Sequence, residues 1–440
     1  MENIRLALCI PTYERSDMVE DFLAKCSAYY IEAGIDVYYF DSSISGETEK
    51  LVCEWPDQEH VHYVKMPAEL SANAKAYRIF QKYGLKREYD FVWLSNDGLQ
   101  CTRQAIDQIV GNLKLDYDII EINSTDSGNI GTRTFTDRNE YLKSCAWHLG
   151  LFGAAILNAH TMLEGVDWGY YENKFLVPLL DPYSHVSFYF YRILELEQFC
   201  ALHISLNPQL VKTSKLKKRV GWFDNFFYYQ CECWVQTIED LPSCYTNKKE
   251  AARALGDLSI IKRMTIFYRL KECGLYSLGV FLKYRNVWDR VTSFSIRRLL
   301  FAAITPRWLV KTYYSWRKAS GHKKLQQFCS AHKKIVIYGT GAVGDIYAQY
   351  FDKYGLDYEA FCVSHRKAPQ QEHLFHPVYE FDELVHMSDD IGFVLAMLER
   401  NVGEVLPAVR EAVGSDAVFC DLKFSEDMRY ELGHIWLVIQ

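Results

Sequence analysis

Three apolar runs in the N-terminal part of the chain are each followed by side chains that can bind a ligand. The runs are IRLALCI at residues 4–10, IDVYYFD at residues 35–41 and the YDFVWL that precedes Ser95. Their length and composition predict buried strands. Because the carboxyl ends of parallel strands meet at one edge of a sheet, we expect Thr12, Asp41 and Asp97 to converge in one crevice. A carboxylate there could hold Mg²⁺ or Mn²⁺, which prefer oxygen ligands.

Helical patterns separate these runs, as expected for successive βα units, and YDIIEIN at 117–123 is a further strand candidate. The first 125 residues are therefore predicted to form a parallel α/β sheet. Residues 126–240 are rich in aromatic side chains, with a strand candidate at LFGAAIL and helical candidates at FYFYRILELEQF and WFDNFFYYQCECWVQTI. We interpret them as the second half of the same domain, which would bind the acceptor of a transferred group.

The order strand, PTYER, strand, FDSS, helix, strand, LSNDG resembles the family 2 glycosyltransferases over roughly residues 4–205. That family has the GT-A fold and inverts the anomeric centre, so the resemblance implies a nucleotide-sugar donor, most often a UDP-sugar. The matching donor-site residues are Pro11, Thr12, Tyr13, Glu14, Asp41, Ser43, Asn73, Lys75, Asn96 and Asp97. Asn73 and Lys75 lie in LSANAKAYRIF, where the family has a helix start that approaches the diphosphate.

The metal motif of the family is reduced in this chain. Ser95 stands where many members have an acid, which leaves Asp97 as the one carboxylate for Mn²⁺ or Mg²⁺. Such an ion would neutralise charge on the departing nucleoside diphosphate. Asp97 before Gly98 also fits an ordinary turn, and Asp41 also fits a helix cap.

An inverting transfer needs a carboxylate that takes the proton of the acceptor hydroxyl. The family usually places this base in an acidic pair roughly eighty residues past the metal motif, and this chain has no such pair there. Asp181 is the predicted base, with His185 as the alternative and Glu164 and Glu172 still open. Asp181 precedes a proline, so it also fits a turn initiator. Trp147 or His148 could touch donor or acceptor.

Composition limits the class of protein. With 440 residues and 49% apolar side chains, the chain can form a real core. Thirteen scattered cysteines without CxxC pairs argue against a zinc-finger site and for a reducing compartment. No signal-peptide form and no run of eighteen apolar residues occur, so we expect a cytoplasmic protein.

Residues 283–324 carry eleven Lys or Arg and one acid, which is +10 against −17 for the remainder. Trp308, Tyr313 and Trp316 are among the aromatic residues interleaved with these cations. This composition suits either an anionic membrane surface, reached from the inner face, or a helical bundle with solvated cations. The acidic surroundings argue against nucleic acid. Pro306 and the Gly321 region are expected to break the helical pattern.

A second α/β domain begins at KKIVIYGT, followed by the pattern GxGxxG at Gly339, Gly341 and Gly344 and a helix. This context predicts a Rossmann-like unit, although its second strand ends in FCVSHRK without the acid that holds a ribose. Arg366 and Lys367 could accept a phosphate instead.

The predicted domains are therefore a GT-A-like unit at 1–245, a basic helical segment at 246–330 and a Rossmann-like unit at 331–440. The favoured function is transfer of a sugar from a nucleotide-sugar donor to a glycan or lipid-linked acceptor. Two alternatives stay open: a nicotinamide-dependent sugar-nucleotide modifying enzyme that uses the glycine loop, and a non-catalytic sugar-binding protein.

Overall fold

The computed structural model divides the chain into two compact units. The first comprises Met1–Leu270 with Leu275–Ala303, and the second Lys271–Gly274 with Ile304–Gln440. The residues that the structure describes are 4–86, 88–125, 127–128, 130–213, 221–366, 371–386 and 390–432.

The first unit is built on a mixed sheet of eight strands in the order β3-β2-β1-β4-β8-β6-β9-β7. β8 and β7 run antiparallel to their neighbours, and the other described pairings in this sheet are parallel. A further pair, β5 with β10, is antiparallel. The strands are β1 Leu6–Thr12, β2 Ile35–Asp41, β3 Val61–Lys65, β4 Phe91–Leu94, β5 Leu99–Cys101, β6 Ile119–Asn123, β7 Arg133–Phe135, β8 Ala155–Asn158, β9 Ala201–Ser205 and β10 Val211–Thr213.

Helices cover both faces of this sheet. Along β1, Ala7 and Cys9 enter one buried apolar cluster, while Leu6 and Leu8 enter the cluster on the opposite face. A strand buried on both faces must be apolar at every position, which is why IRLALCI reads as a continuous run. The helices up to the second unit are α1 Ser16–Glu32, α2 Glu47–Cys53, α3 Ala72–Lys86, α4 Arg103–Val110, α5 Arg138–Leu149, α6 Trp168–Phe175, α7 Ser184–Glu195, α8 Phe226–Tyr228, α9 Val235–Glu239, α10 Lys248–Leu255, α11 Met264–Cys273, α12 Leu278–Lys283, α13 Trp288–Val291 and α14 Ile296–Ile304.

Short irregular helical turns complete the unit. Those of 3₁₀ type are Asp181–Tyr183, Pro208–Leu210 and Gly221–Asn225, and those of π type are Ala159–Leu163, Tyr229–Trp234 and Gly256–Ile260. The π-type turn at Tyr229–Trp234 interrupts the continuous helix predicted for this aromatic segment.

The predicted α/β class with a large, mostly parallel sheet is confirmed. The strands predicted at 4–10, 35–41, 89–94, 117–123 and 151–157 are present as β1, β2, β4, β6 and β8. Strand β3 was not predicted. It lies at the edge of the sheet, where most of its side chains are only half-buried. Its mixture of polar and apolar residues therefore lacks the continuous apolar signal of the central strands.

The second unit has a six-stranded sheet in the order β13-β14-β12-β11-β15-β16, parallel except for the β13–β14 pair. This is the small α/β sheet predicted after residue 331. Its elements, with the preceding helix, are α15 Arg307–Ala331, β11 Lys334–Tyr338, α16 Ala342–Tyr354, β12 Ala360–Val363, β13 Glu372–His373, β14 His376–Glu380, α17 Phe381–Val385, β15 Ile391–Leu395, α18 Glu399–Val413, a 3₁₀ turn Ser415–Ala417, β16 Val418–Phe419 and α19 Leu422–Glu431.

The basic segment is helical, as predicted, but its helices are divided between the two units. Trp288 packs edge-on against Phe227 and Phe267 within the first unit. In the second unit, Arg317 of α15 forms a bidentate pair with Asp427 of α19 at 2.7 and 2.6 Å. The amino-acid composition describes the basic segment as a whole. The side-chain contacts of each helix determine which hydrophobic core that helix joins. The domain bounds 1–245, 246–330 and 331–440 stay a prediction.

Helix α15 also runs through Gly321, where a break was predicted. A Cβ at Gly321 would lie 2.3 Å from the ring of Phe424, so the glycine allows close packing of α15 against α19. No described helix is long and apolar enough to cross a membrane.

Candidate functional site

The carboxyl ends of β1, β2 and β4 lie side by side, because these strands are neighbours in the sheet. Thr12 and Asp41 are partners in the register of β1 and β2. The Thr12 hydroxyl donates to Oδ2 of Asp97, in the turn after β4, at 3.3 Å. The structure thus brings Thr12, Asp41 and Asp97 together at one edge, which is the geometry expected for a ligand site in an open α/β sheet.

Asp97 is buried and makes an ion pair that was not predicted. Nη1 of Arg15 donates to Oδ1 of Asp97 at 2.8 Å, while the Arg15 side chain itself stays partly exposed. Arg15 is the last residue of PTYER, so the same turn that brings Thr12 to this edge also brings the guanidinium. Charge-assisted contacts of this type fix both partners in place.

Lys75 of α3 places a second cation beside the two carboxylates. Its Nζ donates to the Thr12 carbonyl at 2.8 Å and to the Ser42 hydroxyl at 2.9 Å, and the residue is only 4% exposed. Burial lowers the pKa of Lys75, and the negative charges of Asp41 and Asp97 act in the opposite direction. A buried ammonium of this kind must be compensated by nearby acceptors and charges.

Among the described residues, the carboxylates of Asp41 and Asp97 therefore lie beside the cations of Arg15 and Lys75 at this edge. Lys65, at the end of β3, also reaches it through a hydrogen bond to the Ser43 carbonyl. Arg15 is partly exposed, whereas Lys75 on α3 is buried. Arg15 already pairs with Asp97, and an arriving phosphate could recruit its remaining donors without creating an unpaired buried charge.

Asp41 is turned inward. Its Oδ1 accepts hydrogen bonds from the backbone and hydroxyl of Ser43, and its Oδ2 accepts one from the Tyr63 hydroxyl at 3.1 Å. Asp41 is fully buried, so in this arrangement it shapes the turn that carries Ser42 and Ser43. A direct nucleoside contact by Asp41 stays a prediction.

Glu14 joins the loops after β1 and β2. Its backbone N–H donates to the Ser43 hydroxyl at 2.6 Å, and its Oε1 accepts from the backbone N–H groups of Ile44 and Ser45. These hydrogen bonds lower the pKa of Glu14. Its φ of 51° is unusual for a residue other than glycine, and such strain is often retained at ligand sites. Pro11 is buried within β1, whereas the Tyr13 ring is half exposed.

Further predicted site residues lie at or beside the start of α3. The Ser71 hydroxyl caps the helix by accepting from the Ala74 N–H at 3.0 Å, and it donates to Oδ1 of Asp181 at 2.9 Å. Asp181 is half-buried, and burial raises its pKa while the Ser71 hydrogen bond lowers it. A raised pKa makes a carboxylate a stronger general base.

His185 is placed differently from Asp181. Its Nδ1 lies 2.6 Å from the amide oxygen of Asn73, and the residue is only 1% exposed. Burial lowers the pKa of His185 to about 4, against a smaller opposing effect of the Leu149 and Gly150 carbonyls. A neutral, enclosed imidazole that orients Asn73 is a poorer proton acceptor for an external hydroxyl than Asp181.

Asn96 holds a neighbouring loop. Its amide nitrogen donates to the Phe152 carbonyl at 2.6 Å, and its oxygen accepts from the Gly98 N–H at 3.0 Å. The next residue, Gly153, has a φ of 108°, and a Cβ there would lie 2.6 Å from Leu99. Asn96 thus fixes a glycine turn against the loop of Asp97, and direct donor contact by Asn96 stays a prediction.

A divalent ion at Asp97 would have a single protein carboxylate. Mg²⁺ in nucleotide sites is commonly held by one or two carboxylates together with substrate phosphates. Asp97 fits that role with a diphosphate present, provided that Arg15 moves from Oδ1 to the phosphate. Among the described residues, Asp97 belongs to no cluster of three or more ligating side chains.

The glycine loop of the second unit has a backbone explanation. Gly339 has a φ of 122°, and a Cβ on Gly344 would lie 2.0 Å from the Gly339 carbonyl oxygen. Arg366, after β12, already contacts Glu383 and donates its N–H to Glu380 at 2.8 Å. Lys367 lies outside the described residues. Two of the three glycines are therefore needed for the turn itself, and a cofactor role stays untested.

The low pKa of His185 has a measurable consequence. Between pH 6.5 and about 4 the unfolded chain binds a proton that the native imidazole does not, so the stability present above pH 6.5 falls as the pH drops. We expect His185→Gln to reduce the loss of unfolding free energy between pH 7 and 4.5 by roughly 2 kcal/mol. Urea titrations at both pH values measure this difference.

His60→Gln is the matched control, because Asp36 raises the pKa of His60. That pair stabilises the fold fully below pH 6.5 and loses its effect as the pH rises through the raised pKa. Its removal should leave the acid-induced loss undiminished. An unchanged loss in His185→Gln would contradict the assignment of a depressed pKa.

Comparisons with known proteins give only distant likenesses. No protein-family model matches the chain, and no curated protein matches it. Among solved structures it is similar to S. aureus TarS 1-349, with 9% identity, a TM-score of 0.38 and coverage of 68% of this chain and 81% of that chain. A mycobacterial protein is 7% identical, with a TM-score of 0.33 and coverage of 54% of this chain and 75% of that chain. Mannosyl-3-phosphoglycerate synthase from Rubrobacter xylanophilus is 9% identical, with a TM-score of 0.31 and coverage of 54% of this chain and 73% of that chain. Likeness at this level identifies no reaction.

Proposed function

We propose that this chain is a glycosyltransferase that moves a sugar from a nucleotide-sugar donor, with UDP-sugars as the first choice, to a hydroxyl of a glycan or lipid-linked acceptor with inversion. The observation that carries the proposal is the balanced cluster at the carboxyl edge of β1, β2 and β4. Lys75 and Arg15 lie there beside Asp97, with Thr12 between them. A diphosphate needs cations held in place at such an edge.

The donor would span this edge from Tyr13 to the start of α3. The half-exposed Tyr13 ring offers a face on which a nucleobase can stack, and the Arg15 and Lys75 charges would hold the diphosphate. Mn²⁺ or Mg²⁺ held by Asp97 would add Lewis-acid neutralisation of the leaving nucleoside diphosphate.

Asp181 is the proposed general base. It lies against Ser71, the cap of the helix that carries Asn73 and Lys75. The carboxylate would take the proton of the acceptor hydroxyl as that oxygen bonds to the anomeric carbon. The bond from this carbon to the phosphate oxygen breaks, and its electron pair leaves with the diphosphate. Attack from the face opposite the leaving group inverts the centre.

Donor binding tests the first part of the proposal. Isothermal titration with UDP-glucose, UDP-N-acetylglucosamine and GDP-mannose, with and without Mn²⁺, should give saturable binding for at least one donor. Lys75→Met should weaken it by about 10- to 100-fold, because the edge loses the buried cation that holds Thr12 and Ser42 and attracts the diphosphate. Arg78→Gln on the same helix is the matched control, since its partner Glu172 lies outside the cluster.

The affinity of the Asp97→Asn variant for the nucleotide-sugar donor should no longer depend on Mn²⁺. Wild-type binding that ignores both Mn²⁺ and Mg²⁺ would contradict the metal assignment and leave the transferase proposal standing. Failure of every nucleotide sugar to bind would overturn the proposal. Binding without hydrolysis of any donor would favour the non-catalytic alternative.

Turnover tests the base. Release of nucleoside diphosphate by slow transfer to water should fall by about 10²- to 10⁴-fold in Asp181→Asn, with donor affinity within about twofold of wild type. His185→Gln is the matched comparison, and we expect it to alter donor affinity more than the rate of the chemical step. The reverse pattern would assign the base to His185.

We further propose a cytoplasmic protein that attaches peripherally to the inner face of a membrane through α15. Trp308 and Trp316 are each 67% exposed, and Leu309 and Tyr313 are exposed on the same side of the helix. Exposed Lys311 adds positive charge. Aromatic side chains together with cations are typical of helices that lie on anionic lipid.

Sedimentation with phosphatidylglycerol-containing vesicles tests this attachment. The double variant Trp308→Ala/Trp316→Ala should lower the apparent partition coefficient by at least about tenfold relative to wild type. Phe375→Ala, which removes an even more exposed aromatic side chain elsewhere in the same unit, should bind as wild type does. Equal binding of the double variant, or no wild-type binding, would rule out this surface.

A further inference from the structure

A second cluster of reactive side chains lies in the other half of the large sheet. Glu121 of β6 and His203 of β9 are direct partners in the register of these parallel strands, so both project from the same face. Helix α5 covers that face and contributes Cys145 and His148, which are three positions apart and therefore share one side of the helix. All four side chains are buried.

The ligating atoms of Glu121, Cys145 and His203 converge, and His148 adjoins this group through its contact with Glu121. Oε1 of Glu121 lies 2.9 Å from Nδ1 of His148, and Oε2 contacts Nδ1 of His203. The Cys145 sulfur lies 4.0 Å from the same His203 nitrogen. One ligating atom from each of Glu121, Cys145 and His203 falls within 4.8 Å of the others. Ligand atoms around a tetrahedral zinc ion are roughly 3–4 Å apart, so small side-chain movements would admit the ion.

Hydrogen bonding does not account for the arrangement. Despite their short separation, Glu121 Oε1 and His148 Nδ1 lack hydrogen-bond geometry, and neither atom has another hydrogen-bond partner among the described residues. Nε2 of His203 is likewise buried without a described partner. Buried polar atoms are paired in the great majority of cases. Glu121 Oε1 and His148 Nδ1, which belong to the cluster, therefore point to a missing partner, whereas Nε2 of His203 lies on the side of the ring away from the other ligands.

The charges point to the same partner. Glu121 is only 1% exposed, and its carboxylate oxygens contact the imidazoles of His148 and His203. A buried carboxylate at neutral pH therefore needs positive charge beside it. Zn²⁺ with one carboxylate, one thiolate and two neutral imidazoles has no net charge, so the whole set can be buried without an uncompensated ion.

We propose that Glu121, Cys145 and His203 bind one Zn²⁺ ion that ties helix α5 to strands β6 and β9, and that the imidazole of His148, now paired with Glu121, turns to the ion as its fourth ligand. Four protein ligands leave no open position, which is the pattern of a structural rather than a catalytic zinc site. The site is separate from Asp97 and from the oxygen-preferring ion expected there. It holds irrespective of the glycosyltransferase proposal.

Metal content tests the site directly. The full chain, purified without a polyhistidine tag, is dialysed against ZnCl₂, passed over a chelating resin and analysed by inductively coupled plasma mass spectrometry. We expect about one zinc ion per chain in the wild type and less than about a tenth of this in Cys145→Ser and His203→Ala. Cys101→Ser, a buried thiol outside the cluster, and Asp97→Asn should keep the full zinc content.

A second measurement does not depend on whether the variants fold. Replacement of zinc by Co²⁺ in the wild type should give the visible bands of tetrahedral cobalt and a thiolate-to-cobalt charge-transfer band. Wild-type protein that retains no zinc, or cobalt protein without both spectral features, would overturn the proposal. Full zinc content in folded Cys145→Ser and His203→Ala would overturn it as well.

Discussion

The hydrogen bonds of the buried Lys75 ammonium hold together the sheet edge at the carboxyl ends of β1, β2 and β4. The ammonium is buried at the start of α3 and hydrogen-bonds to the carbonyl at the end of β1 and to the serine turn after β2. A buried cation is tolerated only with acceptors and negative charge close by. Asp41 and Asp97 supply that charge, and the turns that carry them are held in consequence.

The same principle of compensated charge separates two regions of one sheet. At the edge of β1, β2 and β4, protein cations balance protein carboxylates, and partly exposed Arg15 can exchange one anion for another. Beneath α5, the partners of Glu121 among the described residues are imidazoles and a thiol. The first arrangement suits a ligand that comes and goes, and the second suits an ion that stays.

The residues of the basic segment at 283–324 have two different roles. Arg317 and Lys318 pair with acids of α19, and Lys324 pairs with its N-cap residue Asp421, so their charges serve the packing of the second unit. Trp308 and Trp316 on the same helix contribute exposed aromatic surface instead. The net charge of the segment therefore overstates the positive charge that is available to an external partner.

Sequence alone determined the α/β class, the central strands and the edge where Thr12, Asp41 and Asp97 meet. These features follow from continuous apolar runs and from the rule that parallel strands end at a common edge. Edge strand β3 and the division of the basic helices were not visible, because half-buried strands and shared composition give no strong local signal.

Tertiary structure decided the partners of each charge. Arg15 pairs with Asp97. His185 is enclosed and hydrogen-bonds to Asn73, whereas Asp181 is half-buried and keeps part of its surface in contact with solvent. Tertiary structure also assembled the Glu121 cluster, of which only Cys145 and His148 are neighbours in sequence. Burial and charge pairing depend on residues that are distant along the chain, so no local pattern could fix them.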